Sequence, residues 1–361
     1  MTDRPGSYLR VPSLFLVGVM ALAVASACLA ATPDEPPVPA SREPTPSEKL
    51  IEEKAPGVVS AVEKGHARLE RDILDRVIRF DDFFGNVKTE DVQYPNYLIR
   101  WVNSLRLEEG SHFIYRTTAR ASFVLPKISQ RLRLAVSGEN EPEPFPTGLR
   151  EDPGNPIFDR FRDRARFVNT ELRYSVIQKP YVDLFLGTGV RVTTPLETFA
   201  RSRLQCYLRL GDVTLARFAE TVFWKNTEGF GETSEIELSR QFGPNTLLRW
   251  NNVGTITEES PGMEWGTGLS LQQELSPRSA ITFGGDVSGH TRPVSQVDIY
   301  RIFTRYRRNF LMTWLFFELE PEISWPRDAL GEYPLTYAFT FRIEVVFHGV
   351  HAMAKNNIGS P

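Results

Sequence analysis

The chain has 361 residues, with 26 prolines, 25 glycines, two cysteines and a formal charge of -3. A mean hydropathy of -0.27 and the lack of a long apolar run after the N-terminus exclude a polytopic helical membrane protein, and the near-neutral balance leaves no basic footprint for nucleic acid. A hydrophobic share of 41% is enough for a core, which argues against wholesale disorder, and two cysteines exclude a disulfide scaffold or a cysteine-rich zinc module.

At the start, Arg4 and Arg10 precede an apolar run from Leu14 to Ala25 that ends in Ala25-Ser26-Ala27. Charged, apolar and small residues in that order predict a secretory signal over 1–27. Cleavage after Ala27 leaves Cys28 first, so lipidation of Cys28 stands as the alternative to ordinary cleavage. Residues 28–50 are proline-rich and polar, which predicts an extended, exposed linker. A helical segment is expected over 51–92. Within it Leu69, Ile73, Val77, Phe80 and Phe84 recur at helical spacing among charges, giving an amphipathic helix over 58–84 that packs on the C-terminal part of the chain, plugs a barrel or docks a periplasmic partner.

From about Tyr97 the period becomes two. Phe113, Tyr115, Thr117, Ala119, Ala121, Phe123 and Leu125 share one face, while Arg116, Thr118, Arg120 and Ser122 share the other. The same split recurs at Val168, Leu172, Tyr174 and Val176 against Asn169, Glu171, Arg173 and Ser175, and at Leu204, Cys206, Leu208 and Leu210 against Arg201, Arg203, Gln205 and Arg209. Runs of about 10 to 14 residues suit a tilted strand crossing a bilayer, whereas globular strands are near 5 or 6. The predicted segments are 97–108, 112–125, 129–138, 166–178, 181–193, 197–210, 213–225, 229–241, 245–257, 263–275, 279–290, 296–308, 312–324 and 336–347. The expected fold is therefore all-β: an antiparallel transmembrane β-barrel of about fourteen strands over 93–348, with twelve as the alternative, an N-terminal amphipathic helix and a polar tail over 349–361. The even-to-odd turns are short and the longest connections join odd strands to even ones. That places both termini in the periplasm of a bacterial outer membrane, with Trp224, Trp265 and Trp325 beside the outer loops.

The last strand puts Tyr337, Phe339, Phe341, Ile343, Val345 and Phe347 on one face. This resembles the aromatic-terminated signal by which outer-membrane barrels are recognised by their assembly machinery, although there the aromatic residue usually ends the chain. The stretches Phe223 to Gly231, Leu248 to Trp265 and Arg305 to Pro326 resemble an uncharacterised bacterial outer-membrane barrel family. The resemblance implies a location, with outer-membrane lipids and the assembly machinery as partners, and carries no catalytic residues.

The proposed lumen face carries Arg116, Arg120, Arg131, Arg133, Arg173, Arg191, Arg201, Arg203, Arg209, Arg249 and Arg342 among Glu171, Glu235, Glu237, Glu318, Glu320 and Glu344. Isolated charges in a narrow lumen are costly, so opposite signs are expected to pair across strands. The functions this allows are a structural barrel or a passive pore for small, in one version anionic, solutes. No zinc-protease spacing, phosphate loop or nucleophile elbow occurs, and no cofactor is implied. One constellation points to an alternative, a lipid hydrolase: Asp286, Ser288 and His290 share one strand face. A barrel serving as a membrane anchor for a periplasmic partner is a third reading.

Overall fold

In the computed structural model the described residues are 97–109, 112–124, 131–138, 168–179, 181–193, 195–310 and 314–349. They form fourteen strands: β1 (Tyr97–Glu108), β2 (His112–Val124), β3 (Leu132–Gly138), β4 (Val168–Lys179), β5 (Val182–Arg191), β6 (Glu197–Arg209), β7 (Thr214–Lys225), β8 (Gly229–Gln241), β9 (Thr246–Thr257), β10 (Glu264–Ser276), β11 (Ser279–His290), β12 (Gln296–Asn309), β13 (Leu315–Pro326) and β14 (Thr336–Gly349). Every strand pairs antiparallel with its neighbours in sequence. β14 returns to β1, with Tyr97 opposite Gly349 and Glu108 opposite Ala338, so the barrel closes and leaves no free edge. Strand number and order are those the period-two pattern predicts. The largest departures are at strand ends: β3 begins at Leu132 instead of 129, and β13 at Leu315 instead of 312. The expected signal segment, Cys28, the linker, the helix over 58–84 and nearly all of the tail lie outside the described residues.

The pairing of side chains two strands apart shows which face is concave. Arg203 on β6 reaches Glu235 on β8 at 3.2 Å, and Arg106 on β1 reaches Glu322 on β13 at 2.9 Å. Such reaches skip over an intervening strand and require the inside of the curve. Alternation then fixes the rest: in β6, Arg201, Arg203 and Gln205 point into the lumen, while Ala200, Ser202, Leu204 and Cys206 point out. A register shift between Ser175 and Ile177 turns Ile177 outward, where it packs with Leu204 and Leu208 around Val182 and Cys206. Cys206 is thus on the apolar face as expected, yet its neighbours cover it almost completely.

The distribution of polarity is inverted relative to a water-soluble domain. Arg249, Arg301, Arg307, Glu235 and Glu320 are among the most buried side chains, while Leu172, Leu186, Leu269, Ile302, Ile323 and Ile343 are exposed on the convex side. Two aromatic belts bound this aliphatic zone. Near the rim that joins odd strands to even ones lie Phe113, Tyr115, Trp224, Phe230, Tyr300 and Tyr337, and near the opposite rim lie Phe123, Phe242, Phe310, Trp314 and Phe347. Trp314 stacks on Phe347 at 5.6 Å between ring centres, tying the start of β13 to the end of β14. Trp265 and Trp325 also lie one residue from their strand ends at the first rim, on the outward face with Trp224.

Turns at that first rim are stitched side to side. Asn226 donates to the Leu196 carbonyl and accepts from the Thr198 amide, Glu258 accepts from the Phe230 amide, and Thr291 accepts from the Met263 amide. Each of these three turns therefore holds the one before it, which braces this part of the rim.

Candidate functional site: the lumen wall

The lumen face of β11 to β14 and β1 carries a continuous charge lattice. Arg301 contacts Asp286, Glu320 and Glu322 at 3.3, 3.2 and 2.9 Å, and Arg342 contacts Glu318 and Glu320 at 3.1 and 3.0 Å. Arg307 bridges Glu318 and Glu344, Arg305 binds Glu320, Arg100 binds Glu344, and Arg106 joins Glu322 to Glu108. Six arginines thereby meet six carboxylates, so the lattice is neutral as a whole. The register places them: β12 offers Arg301, Arg305 and Arg307 on alternate residues, and β13 offers Glu318, Glu320 and Glu322 on the same face. Phe303 fills the gap in the arginine row, with the guanidiniums of Arg301 and Arg305 at 4.4 and 5.4 Å from its ring centre.

A second lattice runs across β4 to β9. Glu171 holds Arg201 and Arg173 at 2.7 and 2.9 Å, and both guanidiniums sit over the ring of Phe185. Gly187 makes this arrangement physically feasible, since a Cβ there would lie 2.2 Å from Glu171 Oε1. Further round, Arg217 bridges Glu235 and Glu237 at 3.0 and 3.4 Å, Arg249 meets Glu237 at 3.1 Å, and Arg191 meets Glu197 at 2.6 Å.

Between the two lattices the wall changes character. The lumen faces of β2 and β3 carry Arg116, Arg120 and Arg133 and no acidic residue. Arg120 stands directly opposite Arg100, and Arg133 directly opposite Arg173. All three of Arg116, Arg120 and Arg133 are half-buried instead of sealed. Arg131, expected with them, precedes β3 in an exposed turn. Like charges in direct opposition are unfavourable in a sheet, and here other contacts relieve them: Glu344 holds Arg100, Glu171 holds Arg173, and Arg116, Arg120 and Arg133 have partners of their own.

All the other expected lumen residues fall on the inward-facing positions of their strands. Reading by alternation missed Arg106, Arg217, Arg301, Arg307 and Glu322, which sit in the middle of the lattices. The signal for Arg307 and Glu322 was the two-residue spacing to Arg305 and Glu320, and Arg301 lies two such steps from Arg305, whereas Arg217 is flanked on its face by Leu215 and Ala219 and gave none. Asp286, Ser288 and His290 do share the lumen face of β11. Their contacts diverge: Asp286 bonds to Arg301, His290 Nδ1 lies 2.9 Å from Asp298, and Ser288 Oγ makes no hydrogen bond. No serine to histidine bond is present for a relay. Among the described residues no three His, Cys, Asp or Glu side chains converge as a metal site.

One polar cluster lies on the other side of the wall. Glu220 and Glu232 occupy outward positions of β7 and β8, on the face shared by Phe218, Val222, Phe230 and Ile236. Ser234 Oγ donates to Glu220 at 2.7 Å, and both carboxylates are largely covered by their neighbours.

No family model and no curated relative matches the sequence. Solved structures with a similar form include outer-membrane channels and other outer-membrane proteins. The chain resembles OprB of Pseudomonas putida at 9% identity and a TM-score of 0.45, over 74% of this chain and 97% of that one. It resembles the outer membrane channel DcaP of Acinetobacter baumannii at 7% identity and a TM-score of 0.41, over 70% and 96%. It resembles the CymD monoaromatic hydrocarbon channel at 7% identity and a TM-score of 0.44, over 75% and 93%. At such scores the likeness is one of general form only, and the function of this chain has to be argued from its own geometry.

Proposed function

We propose that the chain is an integral barrel of the bacterial outer membrane, with both termini periplasmic, whose lumen passes small solutes and favours anions. The membrane reading rests on the inverted polarity: a closed sheet with charges inside, aliphatic side chains outside and an aromatic belt at each rim suits hydrocarbon and would aggregate in water. Strands of this length tilted in a barrel span about 30 Å, which matches a bilayer core. β1 begins and β14 ends on the same rim, opposite the one that carries the longest connections. Outer-membrane barrels keep their long loops outside, so that rim faces the periplasm.

The observation that supports the solute preference is the residue type on β2 and β3, whose lumen faces bring arginines and no carboxylate of their own. A row of one sign in a narrow passage raises the local concentration of the opposite ion. Planar-bilayer recordings on the purified full chain in a potassium chloride gradient test this. The expected result is a reversal potential on the chloride side, moving toward the potassium side when Arg116, Arg120 and Arg133 are all changed to Glu. Cation selectivity in the native protein, or no change in the triple variant, would refute the assignment.

A further inference from the structure

The rim where β1 begins and β14 ends is ringed with positive charge. Each of its six turns has an arginine or lysine at its edge: Arg131, Lys179, Arg209, Arg240, Arg278 and Arg308. Asp212 of the same turn holds Arg209 at 2.7 Å, and Arg131 has a partner of its own. The other four, Lys179, Arg240, Arg278 and Arg308, are exposed and stand in no ion pair among the described residues. Three of these point away from the lumen, since residues directly opposite each other share a face: Lys179 stands opposite Val182, Arg240 opposite Leu248 and Arg308 opposite Phe317. The Arg240 guanidinium lies 5.4 Å from the ring centre of Phe242, which belongs to the aromatic belt of this rim. Among the described residues, Asp212 is the only acid in these turns or on the outward strand ends beside them. The opposite rim is reversed, its described turns carrying Glu109, Glu228, Glu258, Glu259, Asp328 and Glu332 against Arg292 and Arg327.

We infer that this rim is a docking ring for anionic phospholipids of the periplasmic leaflet, whose headgroup phosphates are held by the four unpaired cations. The inference rests on the membrane and orientation reading given above. Strand ends beside an aromatic belt lie at headgroup depth, where a long basic side chain lays its apolar stem on the wall and its charge among the phosphates. A phosphate diester accepts charge-assisted hydrogen bonds from arginine or lysine. A zwitterionic headgroup brings its own cation, which the ring repels, so a lipid of net negative charge is preferred. The distribution of the cations selects a leaflet over other anionic partners. They run from the β4–β5 turn to the β12–β13 turn, more than half of the ring of fourteen strands. A leaflet meets the whole circumference, whereas a globular partner would have to encircle it, and a solute inside the lumen does not meet side chains that point outward.

The probes are phosphatidylglycerol and phosphatidylcholine, each spin-labelled on an acyl chain and present in trace amount in phosphatidylcholine vesicles that hold the folded full chain. One basic side chain near the surface favours an anionic lipid about fivefold, and averaging over every lipid that touches the barrel should leave about a twofold preference for phosphatidylglycerol in the immobilised part of the electron spin resonance spectrum. The joint variant Lys179→Gln, Arg240→Gln, Arg278→Gln and Arg308→Gln is expected to bring the ratio to about one. Sodium chloride at about 0.5 M should weaken the native preference, and Arg292→Gln at the other rim should leave it in place. No preference in the native chain, a preference that survives in the joint variant, or an equal loss in Arg292→Gln would overturn the inference. Displacement of the labelled lipid by inorganic phosphate beyond that by sodium chloride of equal ionic strength would assign the rim to a free anion and overturn it too. A membrane-impermeant thiol reagent is expected not to label Arg278→Cys in intact cells above the native background; labelling would place the ring in the outer leaflet and overturn both the orientation and the inference. Heat-modifiable mobility separates the remaining failures: a chain that does not insert into vesicles takes the membrane reading down with the inference, whereas insertion without lipid preference removes the inference alone.

Discussion

Removing Glu320 is the most direct way to ask what the larger charge lattice does. Its carboxylate is 0% exposed and contacts Arg301, Arg342 and Arg305, one carboxylate thus serving three guanidiniums. Breaking a buried ion pair by deleting one partner costs about 3 to 5 kcal/mol, because the remaining charge stays desolvated. Here part of that cost is offset, since Arg301 keeps Asp286 and Glu322, and Arg342 keeps Glu318. Glu320→Ala is therefore expected to destabilise the barrel by about 3 kcal/mol, at the low end of that range. Glu320→Gln, which retains an acceptor but no charge, is expected to cost about 1 to 2 kcal/mol. Urea unfolding in lipid vesicles, followed by tryptophan emission and by the heat-modifiable gel shift, measures both. A double-mutant cycle with Arg342→Ala should return a coupling of about 1 to 3 kcal/mol. A loss below about 0.5 kcal/mol in Glu320→Ala with no coupling would mean that the lattice is not structural.

Three further perturbations test the face assignment and the packing. Leu186→Arg places a charge at an exposed outward position in the middle of β5, and should cost about 2 to 4 kcal/mol of folding free energy in vesicles; tolerance of it would reverse the faces. Gly187→Val drives a Cβ into the Glu171 carboxylate and should cost about 1 to 3 kcal/mol, seen as a lower urea midpoint, whereas the neighbouring outward Thr188→Val loses only its hydrogen bond to the Phe199 carbonyl and should cost about 1 kcal/mol or less. Glu220→Leu removes one of two carboxyl groups facing the bilayer and is expected to raise stability by about 1 kcal/mol or more; a destabilised variant would show that the pair is held by partners that compensate its burial.

The barrel was legible in the sequence because alternation over twelve or so residues encodes both the strand and its two faces, and Tyr337 to Phe347 is as clear in the sequence as in β14. The lattice was legible only in part. Residue types on a face are visible, but partners two strands away, such as Arg203 with Glu235 or Arg106 with Glu322, depend on register and curvature, which alternation does not specify. Glu220 and Glu232 escaped for a related reason. A carboxylate within an alternating run reads as an inward residue until the register with Leu204 and Ser234 puts it outside. The Asp286, Ser288 and His290 spacing was visible, but its meaning required the contacts: Arg301 takes the aspartate and Asp298 the histidine, leaving a hydroxyl opposite glycine where a relay had been weighed.

In a ring of fourteen, β3 and β10 are seven strands apart, so the arginine wall of β2 and β3 and the strand pair β10–β11, where glycines stand opposite Asp286 and Ser288, face each other across the lumen. The two lattices occupy the arcs between them: the one over β11 to β14 and β1 joins six arginines to six carboxylates, the one over β4 to β9 six arginines to four. Alternating charges a few ångströms apart cancel at distances greater than their spacing, so the field of such an arc fades within the passage, whereas a row of one sign keeps its field. The balanced lattice of β11 to β14 and β1 can therefore stiffen the barrel without attracting counter-ions, whereas arcs with an excess of arginine keep a field of one sign. Fourteen strands lie between barrels filled by their own side chains and open channels, and in that range wide, laterally paired arginine and glutamate side chains narrow the lumen without leaving charges unmatched. Exchanging a lattice pair for apolar residues of similar volume should accordingly leave ion selectivity in place, while a single charge reversal on β2 or β3 shifts it.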